Sequence, residues 1–375
     1  MATLIERFTG AKRVVIKIGS ALLVDGETGQ LRKSWLTALV KDIAVMRRRG
    51  QEVLIVSSGS IAMGRSVLGL KPGTLRLEES QAAAATGQVL LAHAYQEILG
   101  LEDLTIAQIL LTLSDTEERR RYLNARSTLS TLLSLNAIPV INENDTVATS
   151  EIRYGDNDRL AARVAQMIGA DCLILLSDID GLYEADPTHT PEARFLPEVN
   201  ELSEDIMAMA GGVQTAVGSG GMVTKLKAAQ IAMAAGCNMF IANGTIERPL
   251  KAISEDNARF TCFTAKDTPR NARKKWIAAS LSSQGQLVVD TGAEKALQVG
   301  KSLLPAGVSD VHGEFERGDL VILVNQQGRE LGRGLSAYSA SDALRIIGHK
   351  SSEIAEILGY SGRDEMIHRD ELALN

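Results

Sequence analysis

The chain has 375 residues, of which 45% are hydrophobic and 23% are charged, and its formal net charge is −6. This length predicts two or three domains, and the composition is typical of globular proteins rather than of disordered or fibrous ones. The lack of a basic excess argues against a nucleic acid as the main partner. No run reaches the ~18 apolar residues of a membrane span, so we expect a cytoplasmic protein without a signal peptide.

Over the first 265 residues, apolar runs of strand length alternate with helical patterns. The apolar runs cover residues 14–18, 52–57, 105–111, 138–141, 172–176 and 238–242, and the helical patterns cover residues 33–49, 78–99, 117–136, 158–168 and 222–235. This alternation is typical of a parallel sheet with helices on both faces, and runs without polar alternation indicate strands buried on both sides. We therefore predict an α/β domain over residues 1–265, built on an open, mostly parallel sheet.

The pattern changes beyond residue 265. Residues 266–279 include a basic, polar stretch at 270–276 and are predicted to form a linker. Short β-rich runs punctuated by glycines follow at 285–290, 318–324 and 330–334, with short helical patterns at 341–347 and 352–358. This arrangement predicts a small β-barrel-like domain with a C-terminal tail over residues 280–375.

The cysteines and histidines show no spacing typical of a metal site. Cys172, Cys237 and Cys262 are scattered without a C-x-x-C pair, and the five histidines have no ligand spacing. We predict no zinc site and no disulfide framework. The cysteines are expected to pack as small apolar residues, with a catalytic thiol as the minor alternative.

Two polar clusters follow the apolar run at residues 138–141. Asn142-Glu-Asn-Asp145 comes directly after the run, and Gly155-Asp-Asn-Asp158 opens the next helical pattern. Buried amides and carboxylates need hydrogen-bonding partners, so these clusters suit a small, polar, zwitterionic ligand better than a core. The alternative interpretation is a pair of turns, one of which caps the following helix.

Polar or glycine-containing segments follow other predicted strands as well. They are Gly19-Ser20, Ser57-Ser-Gly-Ser60 and Ser177-Asp178, while Gly218-Ser-Gly-Gly-Met-Val-Thr-Lys225 leads into a helical pattern. Ligands of open α/β sheets bind at the carboxyl ends of the strands, so we expect these segments to converge on one site. Glycines that let backbone N–H groups approach oxygens, next to a lysine, are typical of phosphate binding.

Lys17 lies inside the apolar run at residues 14–18. A lysine in a buried strand needs a counter-charge, for which Asp158 is the candidate. Lysines placed at a transferring phosphoryl group offset the charge on its oxygens, so Lys17 is a candidate for that role. The alternative is an edge strand that leaves Lys17 in solvent.

Together, these motifs resemble those of the glutamate 5-kinases, a group within the amino-acid kinase family. The matching motifs are Lys17-Ile-Gly-Ser20, Ser57-Ser-Gly-Ser60, Ile141-Asn-Glu-Asn-Asp145, Gly155-Asp-Asn-Asp158 and Gly220-Gly-Met-Val-Thr-Lys225. The resemblance spans the chain, because bacterial members often carry a C-terminal PUA domain. It implies the amino-acid kinase fold and ATP-dependent phosphorylation of the γ-carboxylate of L-glutamate, giving L-glutamyl 5-phosphate in the first step of proline synthesis.

The resemblance also implies roles for individual residues. Lys17 and Lys225 are expected to stabilise the phosphoryl group in flight, and Asp158 to orient them. The expected glutamate ligands are Ser58, Asp145 and Asn157. Asp145 is expected to pair with the α-ammonium, and Ser58 and Asn157 to donate hydrogen bonds to carboxylate oxygens, although the partner of each stays open. The expected nucleotide-binding residues are Lys17, Ser177, Asp178, Ser219, Gly220, Gly221, Met222, Val223, Thr224 and Lys225.

The resemblance further implies Mg²⁺ bound through the ATP phosphates, proline as feedback inhibitor, a homo-oligomer (tetramer or dimer) and hand-over of the product to glutamyl-phosphate reductase. Two alternatives stay open. One is another substrate of the family, such as aspartate, acetylglutamate, carbamate or UMP. The other is RNA binding by the PUA-like domain, which we disfavour because residues 266–375 contain fewer Lys and Arg (14) than Asp and Glu (15).

Overall fold

The computed structural model describes residues 3–71, 73–147, 156–209, 221–279 and 283–375. The chain divides into two compact units, Met1–Pro269 (unit 1) and Arg270–Asn375 (unit 2). None of the helices in the described ranges is long and apolar enough to cross a membrane.

Unit 1 is built on a mostly parallel sheet. Its strands are β1 (Arg13–Ile18), β2 (Glu52–Ser57), β3 (Ile106–Leu111), β4 (Ile138–Glu143), β5 (Cys172–Ser177), β6 (Leu182–Tyr183), β7 (Phe195–Leu196), β8 (Glu198–Val199), β9 (Asn238–Asn243) and β10 (Phe260–Phe263). Within the described ranges, eight strands form one sheet in the order β3-β4-β2-β1-β5-β9-β10-β8, and β6 pairs with β7. Among the described neighbouring strands of this sheet, β9 and β10 are the only antiparallel pair. The predicted α/β fold is confirmed.

Helices cover both faces of this sheet. They are α1 (Leu4–Thr9), α2 (Ser20–Leu23), α3 (Lys33–Arg48), α4 (Ser60–Val67), α5 (Leu77–Gly100), α6 (Leu113–Glu117), α7 (Arg119–Ser134), α8 (Asp156–Ile168), α9 (Glu204–Met209), α10 (Met222–Ala234) and α11 (Pro249–Ser254). Successive side chains of a strand point to opposite faces. Ile16 of β1 therefore joins a core cluster with Leu39 of α3 and Leu91 of α5, whereas Val15 joins a second cluster with Val164 of α8. Because both faces of the sheet are buried, the strands appear in the sequence as continuous apolar runs.

Unit 2 is β-rich, as predicted. Its strands are β11 (Gly285–Val289), β12 (Val308–Gly313), β13 (Leu320–Asn325), β14 (Glu330–Leu335) and β15 (Leu372–Leu374), in the sheet order β12-β11-β13-β14-β15. Its helices are α12 (Pro269–Ala279, beginning at the last residue of unit 1), α13 (Thr291–Gln298), α14 (Ala340–Ile346) and α15 (Ile354–Leu358), with 3₁₀ turns at Pro305–Gly307, Ser351–Glu353 and Arg369–Glu371.

The region predicted as a linker, residues 266–279, contains α12. Ile277 of this helix is fully buried in a cluster with Leu320, Leu335 and Ala373. A single buried apolar residue among polar and basic ones leaves little periodic signal, which is why the sequence pattern does not reveal the helix. The patterns also do not predict α13 or the short antiparallel strand β10.

All three cysteines are buried and free. Burial raises the pKa of the Cys262 thiol to about 11 and raises the pKa of Cys172 and Cys237 as well. The thiolate is the nucleophilic form, so neutral, buried thiols are unreactive. Their packing role in the core is consistent with the prediction from sequence.

Helices α4 and α5 cross closely through two glycines. A Cβ atom on Gly87 of α5 would lie 1.8 Å from the backbone oxygen of Ser60, and one on Gly64 of α4 would lie 1.8 Å from the backbone oxygen of Ala83. Only glycine permits so close an approach of two backbones. The crossing therefore determines where the residue after Gly87, Gln88, lies relative to the sheet.

We expect Gly87→Ala to destabilise the protein by about 2 kcal/mol or more, because the added methyl group forces α4 and α5 apart. Gly100→Ala is the matched control, since it lies at the end of the same helix and its Cβ would meet nothing within 4 Å. Urea unfolding of both variants measures the difference. Equal midpoints for the two variants would show that the crossing is not tightly packed.

Candidate active site

The candidate site lies at the carboxyl ends of the central strands of unit 1. Strand β1 lies between β2 and β5, and Lys17 is in register with Val56 and Leu175. The chain winds outward from β1 in both directions, first to β2 and later to β5. Such a switch in strand order opens a crevice at the carboxyl edge, where α/β sheets bind ligands.

Lys17, Asp158 and Lys225 form a buried ion cluster in this crevice. Nζ of Lys17 lies 2.6 Å from Oδ1 of Asp158, and Nζ of Lys225 lies 3.5 Å from Oδ2. The hydroxyl of Thr224 donates to the same Oδ2 at 3.0 Å. Asp158 is 0% exposed, Lys17 8% and Lys225 6%. Lys17 is therefore a buried, paired lysine on a central strand and not a solvent-exposed residue on an edge strand.

The cluster keeps its carboxylate ionised. Burial opposes the charge on Asp158, but the ammonium groups of Lys17 and Lys225, with the hydrogen bonds from Lys17 and Thr224, outweigh it and hold the pKa of Asp158 below its ordinary value. A single carboxylate thus draws together two ammonium groups that come from separate elements, β1 and α10. A bound anion would reduce their mutual repulsion further.

Asn157, the residue before Asp158 in α8, has a fixed amide orientation. Its Nδ2 shares its two N–H donors among three acceptors, the backbone oxygen of Ser57 at 2.8 Å, Oγ of Ser58 at 2.8 Å and Oδ1 of Asn142 at 3.1 Å. A backbone carbonyl can only accept, so the nitrogen must face Ser57. Oδ1 of Asn157 is buried without a hydrogen-bond partner among the described residues. It therefore offers an acceptor to a ligand, while the Ser58 hydroxyl, an acceptor for Asn157, has its own proton to donate.

Asn142 connects this amide to helix α5. Its Nδ2 donates to Oε1 of Gln88 at 2.7 Å and to Oγ of Ser60 at 3.2 Å. Gln88 directly follows Gly87, so the close α4–α5 crossing places it against Asn142. The polar chain from Gln88 through Asn142 to Asn157 spans three separate elements and holds each amide in one orientation.

Asp145 is a buried carboxylate that lacks a cationic partner within the described residues. It is 8% exposed, and burial raises its pKa to about 6 although a hydrogen bond with Ser60 opposes the shift. It also lines a cavity of about 280 Å³ together with Gln88 and Glu143. A carboxylate in this environment gains stability when a ligand brings a positive charge to it.

The predicted nucleotide-binding residues lie at the end of β5 and at the start of α10. Ser177 ends β5 and donates to Oδ1 of Asp178 at 2.9 Å. Helix α10 begins at Met222, continues through Val223 to Thr224, and makes no side-chain capping bond at Gly221. The N–H groups of an uncapped first turn attract anions. Ser219 and Gly220 lie outside the described residues, as do residues 148–155, which include Gly155.

Two segments of the chain match known domain families. Residues 12–243 match the amino acid kinase family, and residues 285–358 match the PUA domain. The chain belongs to the amino acid kinase family. The resemblance inferred from the motifs is confirmed.

Similar proteins match over almost the whole chain. The glutamate 5-kinase of Paramagnetospirillum magneticum is 61% identical over 97% of this chain and 98% of its own length. Glutamate 5-kinase 1 of Rhizobium meliloti is 60% identical over 97% of this chain and 92% of its own length. The carbamate kinase from Giardia lamblia bound to AMP-PNP aligns with a TM-score of 0.49 and 18% identity over 69% of this chain and 100% of that one, which is too weak to carry a conclusion.

The site contains residues that the sequence patterns do not single out. Gln88 lies in a long helix without a distinctive motif, and Tyr95 of the same helix is fully buried with its hydroxyl 3.0 Å from Oγ of Ser57. Gln88 and Tyr95 are seven residues apart and therefore lie on one face of α5. In a sequence, this spacing normally indicates a helix face that packs in the core. Within the described ranges, no three His, Cys, Asp or Glu side chains are grouped so that they could hold a metal ion.

We expect Asp158→Asn to destabilise the protein by about 3–5 kcal/mol, because it removes the counter-charge of two buried lysines. Glu97→Gln is the matched control, since it breaks an ion pair of the same 2.6 Å length with Lys33 that is about half exposed on both sides and is worth less than ~1 kcal/mol. The measurement is chemical denaturation at pH 7, where the Asp158 carboxylate is charged. If both variants lose the same stability, the cluster is not effectively buried.

Proposed function

We propose that this amino acid kinase transfers the γ-phosphoryl group of ATP to the γ-carboxylate of L-glutamate, giving L-glutamyl 5-phosphate and ADP. The observation that carries the proposal is the pair of buried ammonium groups, Lys17 and Lys225, held at the strand ends by Asp158. The choice of glutamate is supported by the similarity, at about 60% identity over nearly the full length, to proteins named glutamate 5-kinase.

The chemistry requires alignment and charge neutralisation more than proton transfer. A γ-carboxylate oxygen attacks the γ-phosphorus, and the bond from that phosphorus to the bridging oxygen of ADP breaks as the new bond forms. Because a carboxylate is already a nucleophile, no general base is needed. Lys17 and Lys225 offset the charge on the oxygens of the phosphoryl group, and Asp158 keeps both lysines in place.

The polar network supplies contacts for the amino-acid substrate. We infer that the α-ammonium binds between the Asp145 carboxylate and Oδ1 of Asn157, because the first lacks a cation and the second lacks a donor among the described residues. The Ser58 hydroxyl then donates to a carboxylate oxygen. The expectation that Asn157 donates to a substrate carboxylate is not supported, because its amide nitrogen is already engaged by Ser57, Ser58 and Asn142.

We propose that the nucleotide binds on the opposite side of Lys17 and Lys225 from the amino acid, near Ser177, Asp178 and the first turn of α10. We propose that Mg²⁺ arrives with the ATP phosphates and supplies additional charge neutralisation there. Ser219 and Gly220 are assigned to this site only on the basis of the family resemblance.

The same resemblance supports four further proposals. They are feedback inhibition by proline, assembly into a homo-oligomer, hand-over of the labile product to glutamyl-phosphate reductase, and a cytoplasmic location. Glutamate-dependent ADP formation, compared with aspartate, acetylglutamate, carbamate and UMP and repeated with proline present, tests the substrate assignment and the inhibition together. ADP formation that is faster with one of the other acceptors would overturn the substrate assignment.

We expect Lys225→Ala to lower kcat by more than ~100-fold with little change in either KM, because the lysine acts on charge that develops during transfer. Lys227→Ala is the matched control: it removes an exposed lysine from the same helix, two residues away, and should leave kcat unchanged. Steady-state kinetics measures both variants. An unaltered kcat in Lys225→Ala would remove the lysine from the mechanism.

We expect Asp145→Asn to raise the glutamate KM about tenfold to a hundredfold while the ATP KM stays the same, because a charged hydrogen bond to the ammonium is lost. For the wild type, kcat/KM for glutamate should fall as the pH drops through about 6, the raised pKa of Asp145. The variant should lack this inflection. A pure kcat effect would contradict the ligand role.

The same variant should also change stability. The folded-state pKa of Asp145 lies above its ordinary 3.8, so its charge destabilises the fold fully above pH 6 and not at all well below pH 4. Asp145→Asn should therefore stabilise the ligand-free protein at pH 8, by on the order of 2 kcal/mol, and much less at pH 4. Thermal denaturation at the two pH values measures this.

A further inference from the structure

Unit 2 contains a cationic pocket that the proposed chemistry does not use. It has a volume of about 320 Å³, and its lining includes Arg270, Lys274, Lys275, Lys301 and Arg369. None of its described lining residues is acidic or aromatic, and the rest of the lining is apolar or glycine. We refer to it as the basic pocket.

The fold of unit 2 brings these cations together from three places in the chain. Arg270 and Lys274 are one helical turn apart on α12, and Ala278 continues the same stripe along the pocket wall. Burial of Ile277 in the core of unit 2 orients that helix. Lys301 follows α13, and Arg369 opens the turn that leads into β15.

The charge distribution in this part of the chain is uneven. Residues 270–375 contain 13 Lys and Arg but 14 Asp and Glu, so the region is slightly acidic as a whole. Five of those 13 cations nevertheless line the basic pocket. Arg270 has a carboxylate partner, Asp370, at 3.2 Å, whereas no ion pair or hydrogen bond of the Lys274, Lys301 or Arg369 side chain is found among the described residues.

Like charges held close together destabilise a fold. Cations one helical turn apart, such as Arg270 and Lys274, disfavour the helix by a few tenths of a kcal/mol, and each further cation around the same concave surface adds to the repulsion. An arrangement that is unfavourable in the free protein becomes favourable when a multiply charged anion binds. The positions of these cations, in a domain without basic excess, therefore point to a ligand.

We propose that the basic pocket binds a small molecule that carries at least two linked phosphate groups. Lys274, Lys301 and Arg369 contact the phosphate oxygens, and the apolar wall that includes Leu297 and Leu374 accepts any organic part of the ligand. A diphosphate carries more oxygens, spread over a greater distance, than a single carboxylate. It is therefore the better match for several ammonium groups and a guanidinium around one cavity.

The size and lining of the pocket favour a small molecule over RNA. A volume near 300 Å³ is at the lower end of the range for small-ligand sites. Single-stranded RNA is bound by aromatic stacking combined with a long basic track, and the described lining of the pocket contains no aromatic residue. The acidic balance of the unit as a whole also disfavours an extended phosphate backbone.

Lysine footprinting on the full chain tests the proposal at the level of residues. The protein is treated with an amine-reactive acetylating reagent with and without pyrophosphate, and in parallel with ADP, and modified lysines are quantified by mass spectrometry. We expect labelling of Lys274 and Lys301 to fall at least fivefold at saturation. Lys295, an exposed lysine of α13 that does not line the pocket, should label equally in all samples.

Protection by pyrophosphate and ADP together identifies linked phosphates as the recognised group, and tighter protection by ADP identifies a nucleotide as the source. Unchanged labelling of Lys274 and Lys301 with both probes overturns the proposal. Protection by a short RNA oligonucleotide at concentrations at least tenfold below those needed for ADP would also overturn it, in favour of an RNA surface.

A double variant gives an independent test by stoichiometry. Calorimetric titration of the wild type with ADP should show one more binding equivalent per chain than titration of Lys274→Gln/Lys301→Gln. Lys295→Gln should match the wild type. Because the comparison is a difference between variants, it holds whether or not ADP also binds at the proposed catalytic site. Equal stoichiometry in the wild type and the double variant would disprove the site.

Discussion

The organisation of the candidate site depends on one carboxylate that two lysines share. Asp158 is completely buried, and it would be unfavourable there without the ammonium groups of Lys17 and Lys225. The lysines are equally unfavourable without it. Strand β1 and helices α8 and α10 must therefore pack so that these side chains meet, which ties the centre of the sheet to two of the helices on one of its faces. The same pairing places two cations where a phosphoryl group can be stabilised.

A second constraint comes from the amides beside this cluster. Asn157 directs its nitrogen toward Ser57 and leaves its buried oxygen without a partner among the described residues, because Asn142 occupies one side of the amide, and Asn142 is itself positioned by Gln88. That position depends on two glycines where α4 crosses α5. Preorganisation of this kind has an energetic cost: the buried Asp145 carboxylate destabilises the ligand-free fold, and a substrate ammonium relieves that cost on binding.

Unit 2 is slightly acidic as a whole but contains a locally basic pocket. Its acidic balance argues against a general phosphate-binding surface, yet the packing of α12, the end of α13 and the C-terminal turn concentrates cations around one cavity. The two observations are compatible if the ligand is small.

Sequence reasoning identified most of the large elements, because strands β1, β2, β4, β5 and β9 are continuous apolar runs and α3, α5, α8 and α10 have clear periodicity. It failed where the signal is short or polar, as in α12 and β10. It also placed Lys17 beside Asp158, since a lysine within a buried strand requires a nearby carboxylate.

By itself, the sequence determined the α/β class, the family, and the set of polar residues at the strand ends, because residue types and their spacing are local properties. Only the tertiary structure decided which way the Asn157 amide faces, that Gln88 belongs to the site, that burial shifts the pKa of Asp145, and that five cations of unit 2 line one pocket. These properties depend on desolvation and on contacts between residues far apart in the chain, which no local pattern encodes.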